Sequence, residues 1–367
     1  MESSFTCDKL LSVRVVWEGV KPFLKQAVLP AASPNDRLIR SPLGRIFTYS
    51  APDVPFCPTV KREWYDGSLV IEEVEYQTGP LTRTTAFIVK PRRAKKPLLP
   101  GLLLFHCHSG VYRWGKEKVL ATPEDSEELK SFRQAKYDGR PIAHYFADKG
   151  FVVMVPDAFY FGPRALGREG IDSPSSEIDQ FRKNSEHLVA KMLLLAGHSW
   201  PALTAWEDRK ALDYFCTRPE VDRHRIGCLG LSFGGFRSIL LAAQDQRILC
   251  VVTAGWLTTL EDLFLEKLKN HSWMVLPGGI FPEFDFPTVA ANAFPAAFMA
   301  LLCNQDHLFT LKGMKVASES IASFYRQFGR EDLCCIKFFD SDHRMTREMQ
   351  DQAIHWMERF LCREKLI

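Results

Sequence analysis

Short, largely apolar runs alternate with longer segments of helical character between residues 98 and 361, and this alternation limits the folds open to the chain. The runs at 98–105, 151–155, 226–231, 248–254, 296–303 and 336–339 are too short for ordinary helices. Being apolar rather than alternating, 98–105 and 151–155 predict strands buried on both faces, and the other runs read as strands. Segments 188–195, 202–216, 236–243, 313–328 and 346–361 read as helices between or after them. Such alternation predicts an α/β architecture, a mostly parallel central sheet with helices on both faces. Right-handed crossovers would gather the strand C-termini at one edge, where catalytic groups are expected.

Ahead of this block, 70–76 and 84–89 are β-rich around Thr78-Gly79-Pro80 and predict an antiparallel pair. Residues 1–60 read as an N-terminal helical extension, with an amphipathic helix over 10–27 and Pro- and Ser-rich loops after it. Residues 61–367 then form one domain, a length suited to a large α/β domain with insertions. Two stretches, about 111–140 and 256–294, interrupt the alternation and predict lid-like insertions or substrate walls.

One strand-to-helix junction carries chemistry. Gly230-Leu-Ser232-Phe-Gly234-Gly235 fits G-x-S-x-G, with an apolar strand running in and a helix running out. A Ser at such a turn needs strained backbone angles, and Gly230 and Gly234 remove the Cβ atoms that would collide. The helix N-terminus behind Ser232 favours developing negative charge. Without that context, the same letters would describe only a glycine-rich turn holding an incidental Ser.

A serine hydroxyl needs a base, and the base an orienting acid. In this architecture they follow in the order Ser, Asp or Glu, His. Asp306 follows the 296–303 strand and His343 follows the 336–339 strand, so these are the candidate acid and base. His307 comes too early in that order, His271 lies in an insertion, and His355 lies within the last helix. Asp340 and Asp342 share the His343 loop and read as turn formers. For the oxyanion hole, the N–H of Phe233 is one candidate donor. The loop His106-Cys-His108-Ser-Gly110 supplies the other, through His108 or alternatively Ser109. His106 itself reads equally well as a histidine tying that loop to a neighbour. His106 and His108 could both reach a metal, but no third ligand is evident, so no metal site is expected.

Lys+Arg 47 against Asp+Glu 44 gives a formal net charge of +3, which points neither to nucleic acid nor to an anionic membrane. No apolar stretch approaches the roughly 20 residues that span a bilayer. The ten cysteines lack CxxC spacing and several sit in apolar runs, as expected of buried free thiols in a reducing compartment. Met1-Glu-Ser-Ser-Phe lacks the basic-then-apolar pattern of a secretory signal, so a cytoplasmic location is the default expectation. Oligomeric state is not legible.

Several stretches together resemble one group. They are Trp206-Glu-Asp-Arg-Lys-Ala-Leu-Asp-Tyr214, Arg218-Pro-Glu-Val-Asp through Gly235, Leu104 to Gly110 with Trp114-Gly-Lys-Glu117, Pro156 to Arg164, His271 to Gly278 and Asp285-Phe-Pro287. Over roughly residues 70–362 the chain is similar to α/β hydrolases of the dienelactone hydrolase and acetyl xylan esterase group. The resemblance implies the α/β-hydrolase fold and a cofactor-free Ser–His–Asp carboxylesterase acting on a small-molecule ester. It carries the nucleophile to Ser232, the acid to Asp306 and the base to His343. The chain departs from the group at Cys107, where Gly is common, and at Asp342, often Gly before the base. Ser232 argues against the Cys-nucleophile branch.

The expected substrate is an ester with a small acyl group, such as an acetylated sugar, with Trp114, Tyr160, Trp256 and Trp273 lining the cleft by stacking. Ordinary packing is the alternative for each ring. Two other readings stand beside it: a serine peptidase-like hydrolase, and an inactive binding protein of the same fold.

Overall fold

A computed structural model describes Tyr49 and residues 51–94, 96–167, 175–278 and 284–362. The helix expected over 10–27 lies outside the described residues. Among the described residues the strands are β1 (Thr59–Asp66), β2 (Leu69–Gly79), β3 (Thr82–Pro91), β4 (Leu99–Phe105), β5 (Val152–Pro156), β6 (Val221–Leu231), β7 (Ile248–Ala254), β8 (Ala297–Cys303) and β9 (Cys334–Phe339). They form one sheet in the order β1-β2-β3-β5-β4-β6-β7-β8-β9. The first three strands and the β3–β5 pair are antiparallel. Every pair from β5 through β4 to β9 is parallel. This is the mostly parallel sheet of an α/β hydrolase.

All seven residues of β4 and of β8 are buried, so helices cover both faces of the sheet's middle. The longer α-helices among the described residues are α1 (Glu127–Tyr137), α2 (Ile142–Asp148), α3 (Ser175–Leu195), α4 (Trp200–Phe215), α5 (Phe233–Gln244), α6 (Phe286–Ala291), α7 (Leu311–Gln327) and α8 (Arg347–Met357). Helix α5 packs on β6 and β7, and α8 packs on β7 and β8. Thr310 caps α7 by accepting from the Gly313 N–H at 3.0 Å, and Thr346 caps α8 from the Met349 N–H at 3.3 Å. Each cap ends a loop that follows a sheet strand, which fixes where those loops stop.

Five elements differ from expectation. β1 is an additional edge strand whose residues are mostly exposed, so it lacks the apolar signal that marks a buried strand. The 111–140 insertion contains α1, with α2 directly after it, and the 256–294 insertion contains α6. Helix α3 begins earlier than the expected 188, because its first half is polar. Part of the second insertion, 279–283, lies outside the described residues. Nine described cysteines are unpaired, with Cys107, Cys228, Cys250 and Cys303 buried. Among the described residues no helix is long and apolar enough to cross a membrane.

Candidate active site

The turn between β6 and α5 is tight because two backbones nearly touch. A Cβ on Gly230 would lie 2.2 Å from the Gly234 carbonyl carbon, and one on Gly234 would lie 2.1 Å from the Phe105 carbonyl oxygen. Between them Ser232 adopts φ 59° and ψ −118°, a conformation costly for a residue with a side chain. Its N–H donates to the Ala254 carbonyl at 2.7 Å, which ties the turn to the end of β7. Ser232 is buried in the molecule yet lines a cleft of about 640 Å³.

His343 lines the same cleft. Its Nδ1 lies 2.7 Å from Asp306 Oδ2, both groups being buried. A carboxylate there places the ring proton on Nδ1 and leaves the Nε2 lone pair free to accept a proton. The second Asp306 oxygen accepts the Leu308 N–H at 2.8 Å, which fixes the carboxylate's plane. The loops after β8 and β9 are joined by Asn304 N–H to Phe339 O at 2.8 Å and Gln305 N–H to Ser341 O at 3.1 Å. Neighbouring parallel strands therefore bring two residues 37 positions apart into contact. A Cβ built on Gly255 would lie 3.2 Å from both the His343 ring and the Leu231 side chain, so His343 sits beside the end of β6.

The competing side chains are engaged elsewhere. Asp340 accepts from Gln305, and Asp342 pairs with Arg344. His271 donates to the Leu308 carbonyl at 3.0 Å, and burial lowers its pKa to about 4. His307 lies beside His343, with 5.8 Å between ring centroids, and burial lowers its pKa too.

The loop after β4 lines the same cleft through His108, Ser109 and Gly110. Ser109 and Gly110 both take positive φ, so the chain turns sharply as it leaves the strand. His108 Nδ1 accepts the Gly110 N–H at 3.0 Å, so Nε2 carries the proton and donates to Glu186 Oε1 at 2.8 Å. His106 Nε2 accepts the Ala158 N–H at 3.2 Å, leaving Nδ1–H to face the Cys107 carbonyl at 3.2 Å. Burial holds the pKa of His106 well below the ordinary value, so it is a neutral tie between two loops. The two rings engage different partners and share no metal geometry. Among the described residues no cluster of His, Cys, Asp or Glu has metal-binding form. Phe233 opens α5, where its N–H has no partner four residues back within the helix.

Of the four aromatic residues expected to stack on substrate, the structure brings one to the cleft, Trp256. Tyr160 is buried, its hydroxyl donating to the Arg182 carbonyl at 2.9 Å and its ring packed on Tyr112 and Trp200. Trp114 lies against Phe132 and beneath the Arg113 guanidinium. Trp273 is 42% exposed and lies outside the cleft lining. Aromatic identity alone carries no information on which way a ring points.

Three features were not legible. Glu186, from α3, accepts from His108, from the Tyr112 hydroxyl at 2.6 Å and from Ser272 at 2.9 Å. Burial opposes its ionisation, but those three donors more than compensate and hold its pKa below the usual carboxylate range. It ties the 106–110 loop to the second insertion. Lys136, Lys183 and Lys269 also line the cleft, from α1, α3 and the second insertion. Behind the serine turn, Arg237 of α5 is fully buried and makes a bidentate pair with Asp208 of α4, at 2.7 and 3.0 Å. Sequence offered no signal for these, because each pairing depends on how helices distant in the chain meet.

Comparison with known proteins agrees with this fold. Residues 135–259 match the model of the dienelactone hydrolase family. The protein YtaP of Bacillus subtilis (strain 168), which carries a hydrolase name, is 24% identical over 299 residues, covering 80% of this chain and 88% of that protein. A protein from Bacteroides fragilis NCTC 9343 described as an acetyl xylan esterase superposes with a TM-score of 0.67 at 17% identity, covering 88% of this chain and 82% of that one. A glucuronoyl esterase from Solibacter usitatus gives 0.62 at 15% identity, with 87% and 91% covered. The sheet order and these superpositions give the chain the α/β-hydrolase fold, and the segment that holds the Ser232 turn is the one that matches the dienelactone hydrolase family model.

Proposed function

We propose that the chain hydrolyses carboxylic esters with a small acyl group, an acetyl ester of a sugar being the first candidate. The observation that carries this reading is a strained Ser232 lining one cleft with His343, whose Nδ1 is held by buried Asp306. The hydrolase and esterase names of the similar proteins support it.

In the proposed reaction Ser232 Oγ attacks the ester carbonyl while His343 Nε2 takes its proton. Asp306 stabilises the imidazolium that forms. The carbonyl oxygen becomes an oxyanion held by the N–H groups of Phe233 and of His108. The C–O bond to the alcohol breaks, His343 returns the proton to the leaving oxygen, and an acyl-enzyme remains on Ser232. Water then attacks with His343 as base, releasing the acid and restoring the serine. Trp256 bounds the cleft as a buried ring packed on Phe236, Phe286 and Phe309.

The test is hydrolysis of 4-nitrophenyl esters from acetyl to octanoyl by wild type and Ser232→Ala. Rates falling with acyl length, and a loss of ~10³-fold or more in the variant, are expected. Ester hydrolysis that survives Ser232→Ala would sink the assignment.

A further inference from the structure

The mechanism above leaves one costly group unused. Lys118 has no exposed surface, and among the described residues no carboxylate forms an ion pair with it. Its neighbour Lys116 shows the ordinary solution, with Asp157, Glu117 and Glu73 around its ammonium. A buried lysine without such a partner is expensive, and its cost must be offset by what it holds.

Lys118 Nζ donates to three carbonyls: Cys107 at 2.9 Å, His108 at 3.0 Å and Val111 at 2.7 Å. The ammonium also sits 4.4 Å from the Phe161 ring centroid. All its donors are therefore spent on the loop that follows β4. A trans peptide unit is planar, with its C=O and N–H antiparallel. Drawing the carbonyls of Cys107 and His108 toward Nζ turns the N–H groups of His108 and Ser109 the opposite way. His108, Ser109 and Ser232 line one cleft. The full charge behind these peptide units also polarises them, strengthening their N–H groups as donors in a site of low dielectric.

We propose that Lys118 is the positioning residue of the oxyanion hole, aiming and polarising the N–H groups of His108 and Ser109 through the carbonyls behind them. The inference rests on the ester-hydrolase reading of Ser232. It also accounts for why this lysine is buried while Lys183 and Lys269, which line the same cleft, are exposed.

Burial lowers the Lys118 pKa to about 8, against the opposing influence of Cys107, Asp179, Glu117 and Asp157. The neutral His106 and the His108 ring complete its charged or titratable surroundings on the loop itself. A neutral amine has only two N–H groups for three carbonyls, so the loop loses a bond as the pH rises past that value.

The experiment compares wild type, Lys118→Met and Lys118→Gln with 4-nitrophenyl acetate and with a trifluoromethyl ketone, which forms a hemiketal oxyanion on the serine. Loss of oxyanion-hole support costs about 10²–10³ in kcat, so Lys118→Met should lose at least 10²-fold in kcat with KM within about 3-fold of wild type. Ketone affinity should fall in parallel. Lys118→Gln, which keeps two N–H donors, should recover part of the loss. Wild-type kcat should descend above about pH 8, and this limb should be absent from Lys118→Gln. Unchanged kcat in Lys118→Met, or an alkaline limb that persists in Lys118→Gln, overturns the inference alone. If Lys118→Met does not fold, the pH profiles of wild type and Lys118→Gln decide. A wild type that hydrolyses no ester and binds no ketone overturns the ester-hydrolase reading and this inference with it.

Discussion

Asp306 Oδ2 lies 2.7 Å from His343 Nδ1 with the other carboxylate oxygen locked on the Leu308 N–H, so the imidazole can hold only one tautomer. That tautomer leaves Nε2 as the acceptor a serine nucleophile requires. Asp306→Asn should present an amide in place of the acceptor and reverse the ring's proton. A drop in kcat of ~10³–10⁴-fold with KM little changed is expected at neutral pH. Asp306→Ala should be milder than loss of Ser232 or His343. Full activity in Asp306→Ala would transfer the role to Asp340 or Asp342.

The turn tolerates no side chain at residue 234. In Gly234→Ala the new methyl meets the Phe105 carbonyl oxygen at 2.1 Å, backbone that cannot rotate aside. The variant should be recovered unfolded, or folded with β6 and β4 pushed apart and no esterase activity. A wild-type melting temperature together with wild-type kcat would show that the close approach is not obligatory.

Arg237 and Asp208 form a buried pair whose members cannot be removed singly without cost. Burial raises the pKa of Asp208, with Arg237 opposing that shift. Asp208→Ala leaves a guanidinium uncompensated and should destabilise the fold by about 3–5 kcal/mol in denaturant titration. Joint replacement, Asp208→Leu with Arg237→Met, should cost much less. Equal losses in the single and double variants would contradict this account.

His271 gives the fold an acid sensitivity. Its folded pKa of about 4 lies below its ordinary 6.5, because burial disfavours the charged ring. Such a depressed group contributes stability that is fully present above pH 6.5 and lost as pH falls through about 4. Asp285 acts oppositely: burial raises its pKa to about 6, so its contribution is fully present below 3.8 and lost as pH rises through about 6. The comparison must therefore be differential. Between pH 7 and 4, the melting temperature of His271→Asn should fall less than that of wild type. Parallel pH curves for the two proteins would remove His271 from the acid response.

The succession of strands along the chain, the serine turn and the two loop positions of Asp306 and His343 follow from local pattern. Apolar runs bounded by helix-forming segments declare β4 to β9, and glycines flanking a Ser between strand and helix declare the turn. The edge strand β1 escapes that reading because a strand open to water needs no apolar stripe. Tertiary structure alone decided which side chains meet. The four candidate aromatics are alike in sequence, yet packing turns Tyr160 inward, leaves Trp273 outside and brings Trp256 to the cleft. Glu186 and Lys118 likewise gain their partners only when α3 and the 116–119 turn close over the loop after β4. Periodicity reports which residues a chain can bury; the direction of a side chain and its distant partner are set by how whole elements pack.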